Sequence, residues 1–195
     1  MFKLLLDKIK LFFNKEDSPT MTRLSNGDKH WYLNGRLHRE DGPAVEWSDG
    51  SKEYWIDGEL HRENGPAMEY SNGDKFWYLS GVLHKEGGPA KEYANGDKEW
   101  YFHGKRHRED GPAIEYIHGA KEWFLNGLLH REDGPAIESV YGDRYWFLNG
   151  KYHRVDGPAI EWVGGRKEYW LNDKYLDFIT SDQMLRYYLK YGFLK

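Results

Sequence analysis

The chain has 195 residues, a formal charge of -4, 17% aromatic and 31% charged residues, and a mean hydropathy of -0.90. Disordered chains lack such a content of rings, and general nucleic-acid binding needs clustered Lys and Arg rather than a net negative charge. The absence of cysteine excludes disulfides, thiol catalysis and Cys-based zinc sites, and it fits a reducing cytoplasm, the location expected for this protein.

From the N-terminus, Phe2, Leu5, Leu6, Ile9, Phe12 and Phe13 recur at helical spacing. They predict an amphipathic helix over residues 1–15, with Lys3, Asp7, Lys8 and Lys10 opposite. Those charges interrupt any signal-peptide core, and no apolar run approaches the ~18 residues of a membrane span. Three roles are open for the helix: a cap on the first repeat, a contact with a partner or a second copy, or an anchor on a membrane surface. Residues 16–23, with Pro19, read as a linker.

The next stretch is periodic. Gly-Pro recurs every 23 residues from Gly42-Pro43 to Gly157-Pro158, with Ala next and Glu two positions later, as in Ala44 and Glu46. A histidine column runs His38, His61, His84, His107, His130, His153. Two adjacent aromatic columns run through Trp31, Tyr54, Trp77, Trp100, Trp123, Trp146 and through Tyr32, Trp55, Tyr78, Tyr101, Phe124, Phe147. Each unit therefore offers an aromatic strand, a longer loop carrying His and Arg, a second strand opened by Pro, and a tight turn of the Asn72-Gly73-Asp74 type. Residues 24–178 hold six full units and a partial seventh. The fold expected is all-β: an elongated single-layer antiparallel meander of hairpin repeats, with a short helix at each end. At the C-terminus Asp173 replaces the turn glycine, and Thr180 with Gln183 forms a capping-box pattern. A capping helix is expected over 179–195, opening near Asp182, with Met184, Leu185, Tyr188 and Leu189 as its apolar face.

These units resemble MORN-type repeats, on the 23-residue period, the Tyr-x-Asn-Gly turn at Tyr93-Ala94-Asn95-Gly96, and the loop from Asn126 to Gly134. The resemblance covers residues 24–176 and is nearest to the bacterial and phage variants with His-Arg-Glu-Asp-Gly-Pro-Ala. The eukaryotic loop has Gly-x-Gly where this chain has Gly-Pro-Ala, so lipid or kinase roles are not carried over. The resemblance implies the β-hairpin fold and a binding role. It implies no active site.

The function expected is non-catalytic protein binding, by a bacterial or phage accessory protein that sequesters or inhibits a host factor. Alternatives are a membrane-associated scaffold anchored by the N-terminal helix and a small-ligand (nucleotide) sponge. No P-loop, nucleophile elbow or His-Glu-x-x-His occurs, and a constellation repeated at a fixed period answers to architecture rather than to catalysis. Histidines on successive repeats stand about 10 Å apart, too far to share an ion. No metal or other cofactor is therefore expected. The binding residues expected are Trp55, Tyr78, Tyr101, Phe124 and Phe147 with His84, His107, His130, Arg108 and Arg131. Phe2, Leu5, Leu6, Ile9, Phe12 and Phe13 are the residues expected to meet a membrane or a partner.

Overall fold

A computed structural model describes residues 18–177 and 181–191. The predicted helix over 1–15, and the six apolar residues assigned to it, lie outside the described residues. The chain divides into two compact units, residues 1–82 and 83–195.

Both units are open antiparallel meanders. In the first, the hydrogen-bonded order is Thr20–Arg23, Lys29–Leu33, Val45–Glu46, Lys52–Glu53, Met68–Glu69, Lys75–Phe76. The strand Thr20–Arg23 corrects the linker expected over 16–23: Met21 pairs with Trp31 and Thr22 with His30, so the sheet begins before the first repeat. In the second unit the order runs from Lys91–Glu92 and Lys98–Glu99 to Ile160–Glu161, Lys167–Leu171 and Lys174–Leu176.

Except at Lys29–Leu33 and Lys167–Leu171, where the aromatic strand is continuous, each repeat is more finely divided than two strands and a loop. The aromatic strand breaks into two, as in Lys98–Glu99 and Tyr101–Phe102. Its first half joins the meander, and its second half pairs with Lys105–Arg106 in a separate small hairpin. The residue at the break, Trp100, donates its N–H to the carbonyl of Ala113 at 2.8 Å. Neighbouring hairpins are tied by a pair of backbone bonds, as in Arg108 N–H to Phe124 O at 3.1 Å and Gly127 N–H to Arg106 O at 2.8 Å. The loop expected to be long is thus a tight turn followed by the Gly-Pro connection.

The two turn types follow from their residues. His103 and Gly104 hold φ of 47° and 77°, both positive as a two-residue I′ turn demands. At the other link Gly73 alone has positive φ, 99°, and Tyr70 accepts from Gly73 while donating to Asp74 O. That is a three-residue loop closed by a glycine bulge.

The alanine column is the core: Ala44, Ala67, Ala90, Ala113, Ala136 and Ala159 are fully buried. At the C-terminal end Leu171 and Leu176 form a buried pair, with Tyr187 of the helix Ser181–Tyr191 packed against it. The helix opens where expected; among its described side chains Tyr187 makes the contact, while Leu185 and Leu189 of the predicted apolar face are exposed.

Candidate binding surfaces

Strand alternation gives each unit two unlike faces. One carries a ladder of opposite charges. In the second unit Glu92 faces Lys98, Lys98 faces Glu115, Glu115 faces Lys121, and Lys121 faces Glu138. Directly opposed unlike charges favour this register.

Above that ladder sits a box repeated in nearly every unit. In the Arg131 copy the guanidinium lies 4.0 Å from the centre of the Trp123 ring. Its Nε donates to Asp133 at 2.9 Å, and the neighbouring nitrogen donates to Pro135 O at 3.2 Å and to Glu138 at 3.1 Å. Arg108 does the same with Trp100, Asp110, Pro112 O and Glu115, and Arg154 with Trp146, Asp156, Pro158 O and Glu161. The first unit repeats the box at Arg39 over Trp31, and at Arg62 over Tyr54. A Cβ on Gly134 would stand 2.8 Å from the Arg131 guanidinium carbon, which is why the residue before Pro is glycine although its φ is not positive. Hydrogen bonds from Arg108 and Arg131 hold the carboxyls of Asp110 and Asp133 below the usual aspartate range.

The histidine column ties one repeat to the next. His107 Nδ1 accepts the N–H of Asn126 at 3.1 Å, His84 that of His103 at 3.2 Å, and His130 that of Asn149 at 3.2 Å. His38 and His61 do likewise with Asp57 and Ser80 in the first unit. At His38 and His130 the same nitrogen also lies 2.9 and 3.0 Å from Asp57 Oδ1 and Asn149 Oδ1. Among the described residues no group of three or more His, Asp or Glu is placed to hold a metal ion, and no helix is long and apolar enough to cross a membrane.

The opposite face carries the second aromatic column. Tyr101, Phe124 and Phe147 of the second unit lie there, as do Trp55 and Tyr78 of the first; Phe147 is buried and the others are half-buried. The expected binding residues therefore separate onto two sides of the sheet. The ring column forms one face, while Arg108, Arg131 and the histidines stand with the loops of the other.

Carboxylates missed by the sequence reading punctuate the aromatic face. Glu53 accepts from the indoles of Trp47 and Trp55 at 3.0 and 2.8 Å. Glu99 accepts from the hydroxyls of Tyr93 and Tyr101, both at 2.9 Å, and from Arg106 Nε at 3.2 Å. Burial opposes ionisation of Glu99, but those donors outweigh it and hold the carboxyl below its ordinary range. Burial raises Tyr93, and its bond to Glu99 raises it further. At Glu122 burial prevails, since Tyr116 OH stands at 3.4 Å and Arg106 acts only through space, so that carboxyl is pushed up. A signal for this cluster existed in the sequence: Lys91 stands in a column otherwise Val45, Met68, Ile114, Ile137 and Ile160, and Arg106 in one holding Leu37, Leu60, Leu83 and Leu129.

On the loop side an open cleft recurs between successive repeats. One is floored by Pro112, Trp123 and Leu125, and its lips are residues 108–110 and 130–133. Equivalent clefts are floored by Trp146 and Leu148, by Trp100 and Phe102, and, in the first unit, by Tyr54 and Ile56.

Compared with models of known protein families and with curated protein sequences, the chain matches neither.

Proposed function

We propose that this protein is a non-catalytic binding scaffold of MORN-type repeats, acting as a bacterial or phage accessory protein that sequesters or inhibits a host factor. The observation that carries the reading is the commitment of its reactive-looking side chains to architecture. Each interior histidine accepts a backbone N–H of the following turn, and Arg108, Arg131 and Arg154 are each engaged by a ring, a carbonyl and two carboxylates. Groups held this way are poor candidates for proton transfer or nucleophile activation, because leaving their partners would cost the fold a hydrogen bond. What remains for function is surface: an aromatic face of half-buried rings, a loop side with clefts, and the side chains that vary between otherwise equal repeats. Half-buried Tyr and Trp patches suit protein interfaces.

The test combines capture with a histidine scan. The chain is used to isolate proteins from a bacterial lysate, and each candidate is then purified and titrated back. A stoichiometric complex in the micromolar range or tighter, about -8 kcal/mol, is the expected result. Alanine is placed separately at His38, His61, His84, His107, His130 and His153. One variant that folds normally yet loses all activity, while the other five keep it, overturns the scaffold reading.

A further inference from the structure

The clefts between the loops have a period, a floor and a charge, and together these specify a ligand. The period is that of two strands, about 9.6 Å. Three residues of a polyproline II helix advance about 9.3 Å, so side chains at every third position of such a segment would meet successive clefts in register. The floor of each cleft is a ring with an aliphatic or aromatic neighbour, as in Trp123 with Leu125, Trp146 with Leu148, and Trp100 with Phe102. Aromatic-lined grooves receive preformed polyproline II segments at low entropic cost.

The lips supply the charge. Around the cleft floored by Trp123, two arginines, Arg108 and Arg131, face four carboxylates. Asp110 and Asp133 are engaged by the arginines, whereas Glu109 and Glu132 project into solvent, approaching Nε2 of His107 and His130 at 3.7 and 3.8 Å. Around the cleft floored by Trp146 two arginines face three carboxylates, because Val155 stands where the other loops carry an acid. Around the Trp100 cleft Lys85 and Arg108 balance Glu86 and Asp110. The excess negative charge is therefore greatest in the middle cleft of the second unit.

We propose that the row of clefts within the second unit binds an extended polyproline II segment bearing Lys or Arg at every third position, each cation entering one cleft between an aromatic floor and an unneutralised glutamate. The inference rests on the scaffold reading and deepens it by naming the partner's chemistry.

The probe is a fluorescent peptide, (Pro-Pro-Lys)4, titrated into the full chain at low and at physiological salt. Two controls are a peptide of the same composition with its four lysines consecutive, and (Pro-Pro-Glu)4. The periodic peptide is expected to bind about tenfold or more tighter than the block peptide, and the acidic peptide not at all. Glu132→Lys, at an exposed position bordering two clefts, should weaken binding about tenfold while leaving the melting curve unchanged; Glu109→Lys should act likewise through the middle cleft. Equal affinity for the periodic and block peptides would reduce the effect to general electrostatics and overturn the proposal. So would an absence of binding at millimolar peptide, or indifference to both glutamate substitutions. If these probes fail while a purified protein partner still binds and is lost on Tyr101→Ala, the clefts are not the site but the scaffold reading stands. If no protein partner binds either, both fall.

Discussion

Gly134 and His107 show how single residues hold a repeat together. Adding a methyl at Gly134 pushes on the Arg131 guanidinium from 2.8 Å, lifting it from the Trp123 ring and from Asp133 and Glu138. Gly134→Ala should cost about 1 kcal/mol, the size of one cation–π contact with a partly exposed ion pair, read as a lower denaturation midpoint. His107→Ala leaves the Asn126 N–H without its acceptor and should cost about 1 kcal/mol, with His130→Ala costing a similar amount through Asn149. A large effect at one and none at the other would contradict equivalent roles. Glu122 works in the other direction. Burial raises its carboxyl above the ordinary range, so at neutral pH its charge weighs against the folded state. Glu122→Gln should raise stability at pH 7 by a few tenths of a kcal/mol, after allowance for solvent screening, and the gain should shrink as the pH falls toward the value at which Glu122 itself takes up a proton.

At the scale of elements, the fourth repeat departs from its own pattern. Arg106 replaces an aliphatic residue in the small hairpin, pairs across it with Tyr101, and reaches Glu99 on the adjoining meander strand. It thereby links hairpin to meander by a charge, where its neighbours use leucine. Arg106→Leu alone should destabilise the protein by about 1 kcal/mol, since it leaves Glu99 half-buried with two phenols and with Lys91 as a cation acting only through space. The double variant Arg106→Leu with Glu99→Phe, copying the leucine of other hairpins and Phe76 of the preceding repeat, should recover most of the loss. A double-mutant cycle with no coupling would refute this account. The C-terminal element closes the second unit through Leu171 and Leu176, where Asn172 and Asp173 keep the I′ turn at φ of 49° and 64° without glycine. Asp and Asn tolerate that region better than other residues, so the loss of Gly at 173 does not end the hairpin pattern.

At the scale of the whole molecule, acid response sums over the repeats. Asp41, Asp110 and Asp133 are each depressed by their arginine, and Glu46 chiefly by Lys29. A group depressed in the folded state contributes stability above its unfolded value and loses it as the pH falls through its folded one. Melting temperature should therefore stay nearly level from pH 7 to about pH 5 and decline below about pH 4. A steep loss already between pH 7 and 6 would show that other groups control it. The interval of 23 residues, the turn glycines at positive φ, the antiparallel all-β class and the start of the C-terminal helix were all legible in the sequence, because each depends on local chemistry repeated in register. Which side of the sheet each column occupies, the partition of the aromatic strand at Trp100, the passage of each histidine's bond to the next repeat rather than within its own loop, and the meeting of Glu99 with Arg106 and two tyrosines were decided by the tertiary structure. Those features join residues from 2 to 19 positions apart, and a column of letters does not state which neighbour a side chain reaches until the register and the bend of each strand are set.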